Sequence, residues 1–171
     1  LLQHLESNQL LPPNQSGFRS NKSCKRALME MLATWYNNMD QKKFQTICSY
    51  DLTAMFDLID IPILLKKLRI LGTSQMTIDF FLSYLLDRKN MTRVGNEISP
   101  QTSSLRGGPQ GACLTATLAL VMIIDINLFI DQGTLSSYCD DNTLTSVGES
   151  IEKAIETAQK ESENIITFFR L

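Results

Sequence analysis

Residues Ser136–Thr145 read SSYCDDNTLT. Two adjacent carboxylates, Asp140 and Asp141, sit between residues that favour strands. Side chains alternate faces along a strand, so two consecutive acids cannot continue a half-buried ladder. The pair therefore marks the tip of a hairpin. A polar turn would account for it, because Asp and Asn are favoured turn residues. So would a charged site at the end of a sheet, and this stretch alone leaves both readings open.

A third carboxylate narrows the choice. FQTICSYDL, Phe44–Leu52, has the pattern of a strand that ends at Asp51, and the overlapping stretch DLTAMFD runs on to a further acid, Asp57. Asp51 and Asp57 could also cap a helix. If Asp51 joins Asp140 and Asp141, the three charges repel and stay ionised at neutral pH only with a cation between them. Mg²⁺ suits such a place: it takes oxygen ligands, needs one or two protein carboxylates, and lets substrate phosphates complete its shell. Two such ions support in-line phosphoryl transfer, in which the protein supplies position and charge.

Composition sets the background. The 171 residues suffice for one domain with a sizeable core, and 43% hydrophobic with 20% charged residues is a globular balance. Cys24, Cys48, Cys113 and Cys139 lie far apart and His4 is the single histidine, so neither a zinc site nor a disulfide framework is expected. An intracellular, reducing compartment (nucleus or cytoplasm) and no disulfide-linked partner follow as expectations. The opening LLQHLESNQLL lacks a signal-peptide pattern. The apolar run Ala112–Ile126 is interrupted by Thr115, Thr117 and Asp125, so it reads as a core helix and no membrane partner is expected. The net charge of −2 gives no overall sign of nucleic acid, but Glu149–Glu163 concentrates five Glu against two Lys. Basic groups gather instead at Arg19–Arg26, Lys42–Lys43, Lys66–Arg69 and Arg88–Arg93.

The remaining elements follow from caps and periodicity. Asn21 is placed to cap a helix with apolar positions from Ala27 to Met39. Asp60 and Pro62 open another that Gly72 ends, and Ser74 caps a third. Met91–Ser99 has a Gly-Asn turn and reads as a hairpin; GGPQG feeds a helix over Ala112–Ile130; a last helix runs from Ser150 to about Phe169. Helices and hairpins without βα alternation predict an α+β fold, an antiparallel sheet with helices on one face. The uncapped ends at Leu1 and Leu171 suggest a piece of a larger protein.

Read together, the motifs resemble the reverse transcriptase domain of non-LTR retrotransposons over about Leu10–Leu171. NQSGFR (Asn14–Arg19) is similar to that family's fingers motif, and DLTAMFD (Asp51–Asp57) to its first palm motif. FLSYLLDRKNMTRVGNEIS (Phe81–Ser99) resembles the segment that joins palm motifs. LRGGPQGACLTATLAL (Leu105–Leu120) resembles G-x-P-Q-G-S-x-L-S-P, and SYCDDNTL (Ser137–Leu144) the Y-x-D-D hairpin.

The resemblance implies a single partial domain over 1–171. Its palm, a ferredoxin-like antiparallel sheet backed by helices, would occupy about 44–60 and 107–171. Fingers or fingers–palm connections would occupy about 1–43 and 61–106, and the thumb is absent.

It also implies an RNA-directed DNA polymerase using RNA template, DNA primer, dNTP and two Mg²⁺ ions, with Mn²⁺ as substitute. Asp51 and Asp140 would bind metal, Asp141 would assist, and the Leu52 carbonyl would complete one shell. Arg19 would pair with the triphosphate. Phe56 would stand as a steric gate against a ribose 2′-hydroxyl. Gln110 and Gly111 would lie beside the nascent base pair, with Gly107 and Gly108 allowing close backbone approach. Tyr138 would pack near the primer terminus.

Met55, Ala112 and the pair Thr115-Ala116 depart from the common pattern. With a thumb missing, the piece alone is expected to be inactive or weak. Three alternatives stay open: a silent reverse-transcriptase-like domain that binds RNA or protein, an intron maturase, and a viral RNA-dependent RNA polymerase.

Overall fold

The computed structural model describes residues 1–170; Leu171, the last residue of the expected palm, lies outside them. The chain divides into two compact units, residues 1–53 with those from Ile123 onward, and Ala54–Met122.

The first unit is built on a three-stranded antiparallel sheet of β1 (Phe44–Asp51), β7 (Asp141–Gly148) and β6 (Thr134–Tyr138), in the order β1-β7-β6. β1 pairs with β7 from Phe44 opposite Gly148 to Asp51 opposite Asp141. Period-two alternation sends Cys48, Leu144 and Leu135, which are cross-strand neighbours, to one face. There they meet Ile126, Ile165 and Phe168 in a hydrophobic cluster. Ile165 and Phe168 belong to α6 (Ile151–Phe168), which Ser150 caps by accepting from the Lys153 amide. Each fully buried aliphatic side chain here contributes about 1.5–3 kcal/mol.

Helices lie on both faces of the sheet rather than on one. α2 (Cys24–Asp40) touches β6 and β1, and Trp35 Nε1 donates to Thr145 Oγ1 (2.9 Å), one residue past inward-facing Leu144. None of the α2 side chains is buried; Met29, Tyr36 and Met39 stand exposed. The cap of α2 is Ser23, whose Oγ accepts from the Arg26 amide, and not Asn21. Asn21 instead takes a positive φ of 59°, a region Asn tolerates better than most residues. A short helix α1 (Leu2–Ser7) precedes these elements.

Glu161 ties α6 to the loop before β6. It is fully buried, and its carboxylate accepts from the amides of Asp131 (3.1 Å), Gln132 (2.6 Å) and Gly133 (3.3 Å). Burying a charge is costly unless hydrogen bonds replace its water, and here three donors do so.

The second unit holds α3 (Ile61–Ile70), α4 (Gln75–Leu85) and α5 (Cys113–Met122). α3 packs on α4 and α5 and buries Leu64, Leu65 and Leu68, while α4 buries Ile78, Phe81 and Leu85. Asp60 and Ser74 cap α3 and α4 as their positions predict. The expected hairpin forms as β3 (Arg93–Val94) and β4 (Glu97–Ile98). A second ribbon, β2 (Arg88–Asn90) with β5 (Thr102–Ser104), escapes sequence reading because both strands are short and mostly exposed.

The helix expected over Ala112–Ile130 stops at Met122. The Met122 carbonyl, which a continuing helix would offer to Ile126, accepts from Lys67 Nζ (2.6 Å). The Ile126 amide bonds to Ile123 instead, and a single 3₁₀ turn, Ile126–Phe129, follows.

Glu161→Ala leaves three loop amides without their acceptor and should lower the unfolding free energy by about 2–3 kcal/mol in a urea titration. Glu161→Gln, which keeps an acceptor oxygen, should cost less.

Candidate active site

The hairpin register arranges the carboxylates. Tyr138 pairs with Asp141, so β6 and β7 are joined by two residues, Cys139 and Asp140. Asp141 also pairs with Asp51 across β1, which makes Asp51, Asp141 and Tyr138 a row of direct cross-strand neighbours on one face. That face is opposite the Cys48–Leu144 cluster, since Asp51 and Asp141 stand an odd number of residues from those positions. Opposed side chains in an antiparallel pair lie about 4.5–5.5 Å apart at Cβ, and like charges there repel. Asp51 and Asp141 are exposed and Asp140 is half-buried. None of the three forms a salt bridge among the described residues.

Asp140 is anchored by its main chain. Its carbonyl accepts from the Leu52 amide (3.3 Å) and from Asn142 Nδ2 (2.8 Å), and Ser137 Oγ donates to Asn142 Oδ1 (2.6 Å). Leu52 is thus held directly beside the turn. Cys139 has a positive φ of 60° and is buried. Burial first, and then the charges of Asp140 and Asp141, push its thiol up to about 11. The thiol is therefore neutral at pH 7 in the metal-free chain.

The donor set suits a hard cation. Carboxylate oxygens of Asp51, Asp140 and Asp141 and the nearby main chain are all oxygen ligands, and no imidazole or thiolate competes. Among the described residues no group of three or more His, Cys, Asp or Glu side chains is placed to hold a metal ion, the expected set of Asp51, Asp140 and Asp141 included.

Arg19 does not project as a free cation. Its Nη1 donates to the carbonyls of Pro12 (2.7 Å) and Gln15 (3.1 Å), and its Nε lies 3.7 Å from Glu6.

In the second unit, residues 106–110 are fastened against the turn that follows Ala54. The Gly107 amide donates to Ile59 O and the Gly108 amide to Phe56 O, each at 2.9 Å. Gly107 has φ +76°, and a Cβ there would lie 2.7–2.8 Å from the backbone of Phe56 and Asp57. Gln110 Nε2 donates to both oxygens of Asp57 (2.9 and 2.8 Å), and Arg88 Nη2 donates to the Gly107 carbonyl (2.8 Å). A groove of about 580 Å³ opens here, lined by Asp57, Arg88, Lys89, Asn90 and Gln110 among others. Phe56 is half-buried; Gly111 has φ +77° with open space around it. Thr115, in place of the usual Ser, donates to the Pro109 carbonyl (2.8 Å) and packs on Gly108, so this departure is accommodated.

Sequence reasoning gave no role to Asp57 in holding Gln110, to Arg88 in bracing the glycine loop, or to Asn142 in fixing the turn. Asp57 lies inside a recognised motif, which was its one available signal.

Comparison with known proteins bears on the whole chain. Residues 1–169 match the family model described as "Reverse transcriptase (RNA-dependent DNA polymerase)". A search of curated proteins returned no match. Among solved structures the chain is similar to apo telomerase from Candida tropicalis truncated from its C-terminal domain, at 8% identity and a TM-score of 0.61. That alignment covers 94% of this chain and 34% of the telomerase chain, so this chain spans about a third of that structure's length; the likeness is one of fold.

Gly107→Ala should destabilise by more than Gly111→Ala in thermal unfolding. Both carry the roughly 1 kcal/mol cost of a left-handed conformation, but only at Gly107 would the new methyl meet backbone. With the Cys139 thiol near 11, about one molecule in a thousand is thiolate at pH 8. Iodoacetamide should therefore label exposed Cys24 and Cys113 long before Cys139. Asp140→Asn removes a negative charge, lowers that pKa and should speed labelling of Cys139.

Proposed function

The chain belongs to the reverse transcriptase (RNA-dependent DNA polymerase) family, and we propose on that premise that it is the fingers–palm part of a non-LTR-type enzyme extending a DNA primer on an RNA template. The observation that carries this reading is the β1–β7 register, which sets Asp51 beside Asp141 and next to the turn that bears Asp140. In this reading the sheet of the first unit is the palm, and much of the second unit is fingers or their connection.

Asp51 and Asp140 would hold the metal ions, with Asp141 assisting and the Leu52 carbonyl adding an oxygen. Two Mg²⁺ ions, or Mn²⁺ in their place, supply Lewis-acid activation of the primer 3′-hydroxyl and offset phosphate charge. The three carboxylates, which form no salt bridge among the described residues, would offer their charge to the cations, and the ties to the Asp140 carbonyl support this reading by holding the turn. Tyr138, third in the row, would pack its ring near the primer terminus.

Phe56 would exclude a ribose 2′-hydroxyl. With Nε2 committed to Asp57, Gln110 keeps Oε1 as an acceptor for a donor group on the nucleotide or template. Gly107 and Gly108 would let the backbone come close to the new base pair, and Gly111 would continue that surface. Arg19 would reach a triphosphate only by giving up the Pro12 and Gln15 carbonyls. Its first task in this reading is to hold the loop from Pro12 to Arg19.

Primer extension on an RNA template with dNTP and Mg²⁺ tests the reading, using this chain and any longer polypeptide that carries it. Asp51→Asn or Asp140→Asn should reduce extension by roughly 10³-fold, the equivalent of several kcal/mol of lost charge stabilisation. Asp141→Asn should cost less. Phe56→Ala should raise rNTP relative to dNTP incorporation by about tenfold or more. RNA binding without extension in every polypeptide tried would instead favour a silent reverse-transcriptase-like domain.

A further inference from the structure

We propose that Gln15 is a positioning residue for the carboxylate hairpin, a role that rests on the polymerase reading above. Its segment, Asn14–Gly17, lies along the outer edge of β6. Gln15 forms a parallel bridge with Ser137, the Ser16 amide donates to Ser137 O (2.8 Å), and the Ser137 amide to Asn14 O (3.0 Å). Asn14 is fixed by a reciprocal amide pair with Asn127 (3.0 and 2.8 Å) and by donating to the Leu135 carbonyl.

From that anchored segment the Gln15 side chain, only 4% exposed, reaches the turn itself. Its Oε1 accepts from the Cys139 amide (3.0 Å) and from the Gly17 amide (2.8 Å), while Nε2 lies 3.5 Å from the Cys139 carbonyl. One side-chain amide therefore engages both main-chain polar groups of the residue that precedes Asp140. Cys139 is the residue with the left-handed φ of 60°, a conformation non-glycine residues keep only when their surroundings over-determine it. Gly17 completes the fit: a Cβ there would run into the Sγ and backbone of Cys139.

The chemistry of Gln is specific to this task. Two N–H groups converge on Oε1, which needs a carbonyl-type acceptor with two lone pairs. A Glu would accept both but would add a third negative charge beside Asp140 and Asp141. A Leu would fill the space and leave both amides buried and unpartnered. Without the clamp the turn is free to leave the left-handed conformation, and Asp140 and Asp141 lose their fixed direction. The span from Gln15 to Cys139 is bridged by nothing local; the fingers motif NQSGFR thereby sets the geometry of the acidic hairpin.

Two measurements on the chain test this. Hydrogen exchange at the Cys139 amide reads the clamp without any metal. Strong protection in the wild type that falls at least tenfold in Gln15→Ala, at unchanged global stability or beyond any loss of it, is expected. Equal exchange in both would overturn the proposal.

Titration with Mn²⁺, followed by the electron paramagnetic resonance of the free ion, reads the consequence. Gln15→Ala and Gln15→Leu should weaken Mn²⁺ binding by about tenfold. Cys139→Gly in the Gln15→Ala background should restore most of it, because glycine adopts a positive φ without help. Unchanged Mn²⁺ affinity in folded Gln15→Ala, or a loss that Cys139→Gly does not relieve, overturns the positioning role. Wild-type chain that binds no Mn²⁺, or binds it equally well as Asp140→Asn, overturns the metal-site reading and the positioning role with it, while the exchange result still reports the clamp.

Discussion

The arrangement depends on one constraint, the register of β1 against β7. Because side chains alternate with a period of two, a slip of one residue would turn Cys48 and Tyr50 out of the core and bury Asp51. Several contacts forbid that slip. Leu144 is completely buried between Cys48 and Leu135, Tyr50 hydrogen bonds Ser162 of α6 (2.5 Å), and Trp35 of α2 reaches Thr145 on the other face. The acidic row is therefore a consequence of hydrophobic and hydrogen-bonded fits made elsewhere in the same strands. Repulsion between Asp51 and Asp141 is carried by the sheet, at an exposed end where water softens it.

Around that row, polar side chains substitute for regular structure where the backbone leaves it. Glu161 gathers three amides of the loop before β6, Gln15 and Asn142 hold the turn after it, and Asn14 pairs with Asn127. Each is at least partly buried and each satisfies main-chain or amide groups that would otherwise be orphaned. A hairpin tip carrying like charges would otherwise be a mobile place. Here those side chains fix the main chain of the turn.

The second unit uses the same device around its glycine loop. Gly107 and Gly108 admit the backbone of Phe56–Ile59, and Asp57 and Arg88 hold Gln110 and the Gly107 carbonyl. Departures from the family pattern fall within this packing without breaking it. Met55 is buried, and Thr115 makes a hydrogen bond to Pro109 while its side chain lies against Gly108.

What the sequence by itself determined was local or was motif. The caps at Asp60 and Ser74, the Gly-Asn hairpin, the strand ending at Asp51 and the hairpin near Asp140 all depend on residues within a few positions of one another, although Asp141 lies in the β7 ladder and not in the turn. Short-range propensities decide such features, and the family that the motifs together suggested matches over residues 1–169. What only the tertiary structure decided involves partners far apart in the chain. Ser23 displaced Asn21 as the cap of α2, Lys67 took the carbonyl that a longer α5 required, and helices covered both faces of the sheet. Gln15, more than a hundred residues from Cys139, and Glu161, about thirty from Asp131, carry no local mark of their roles. A buried amide or carboxylate is tolerable only where distant backbone donors converge on it, and that convergence exists only once the chain has folded.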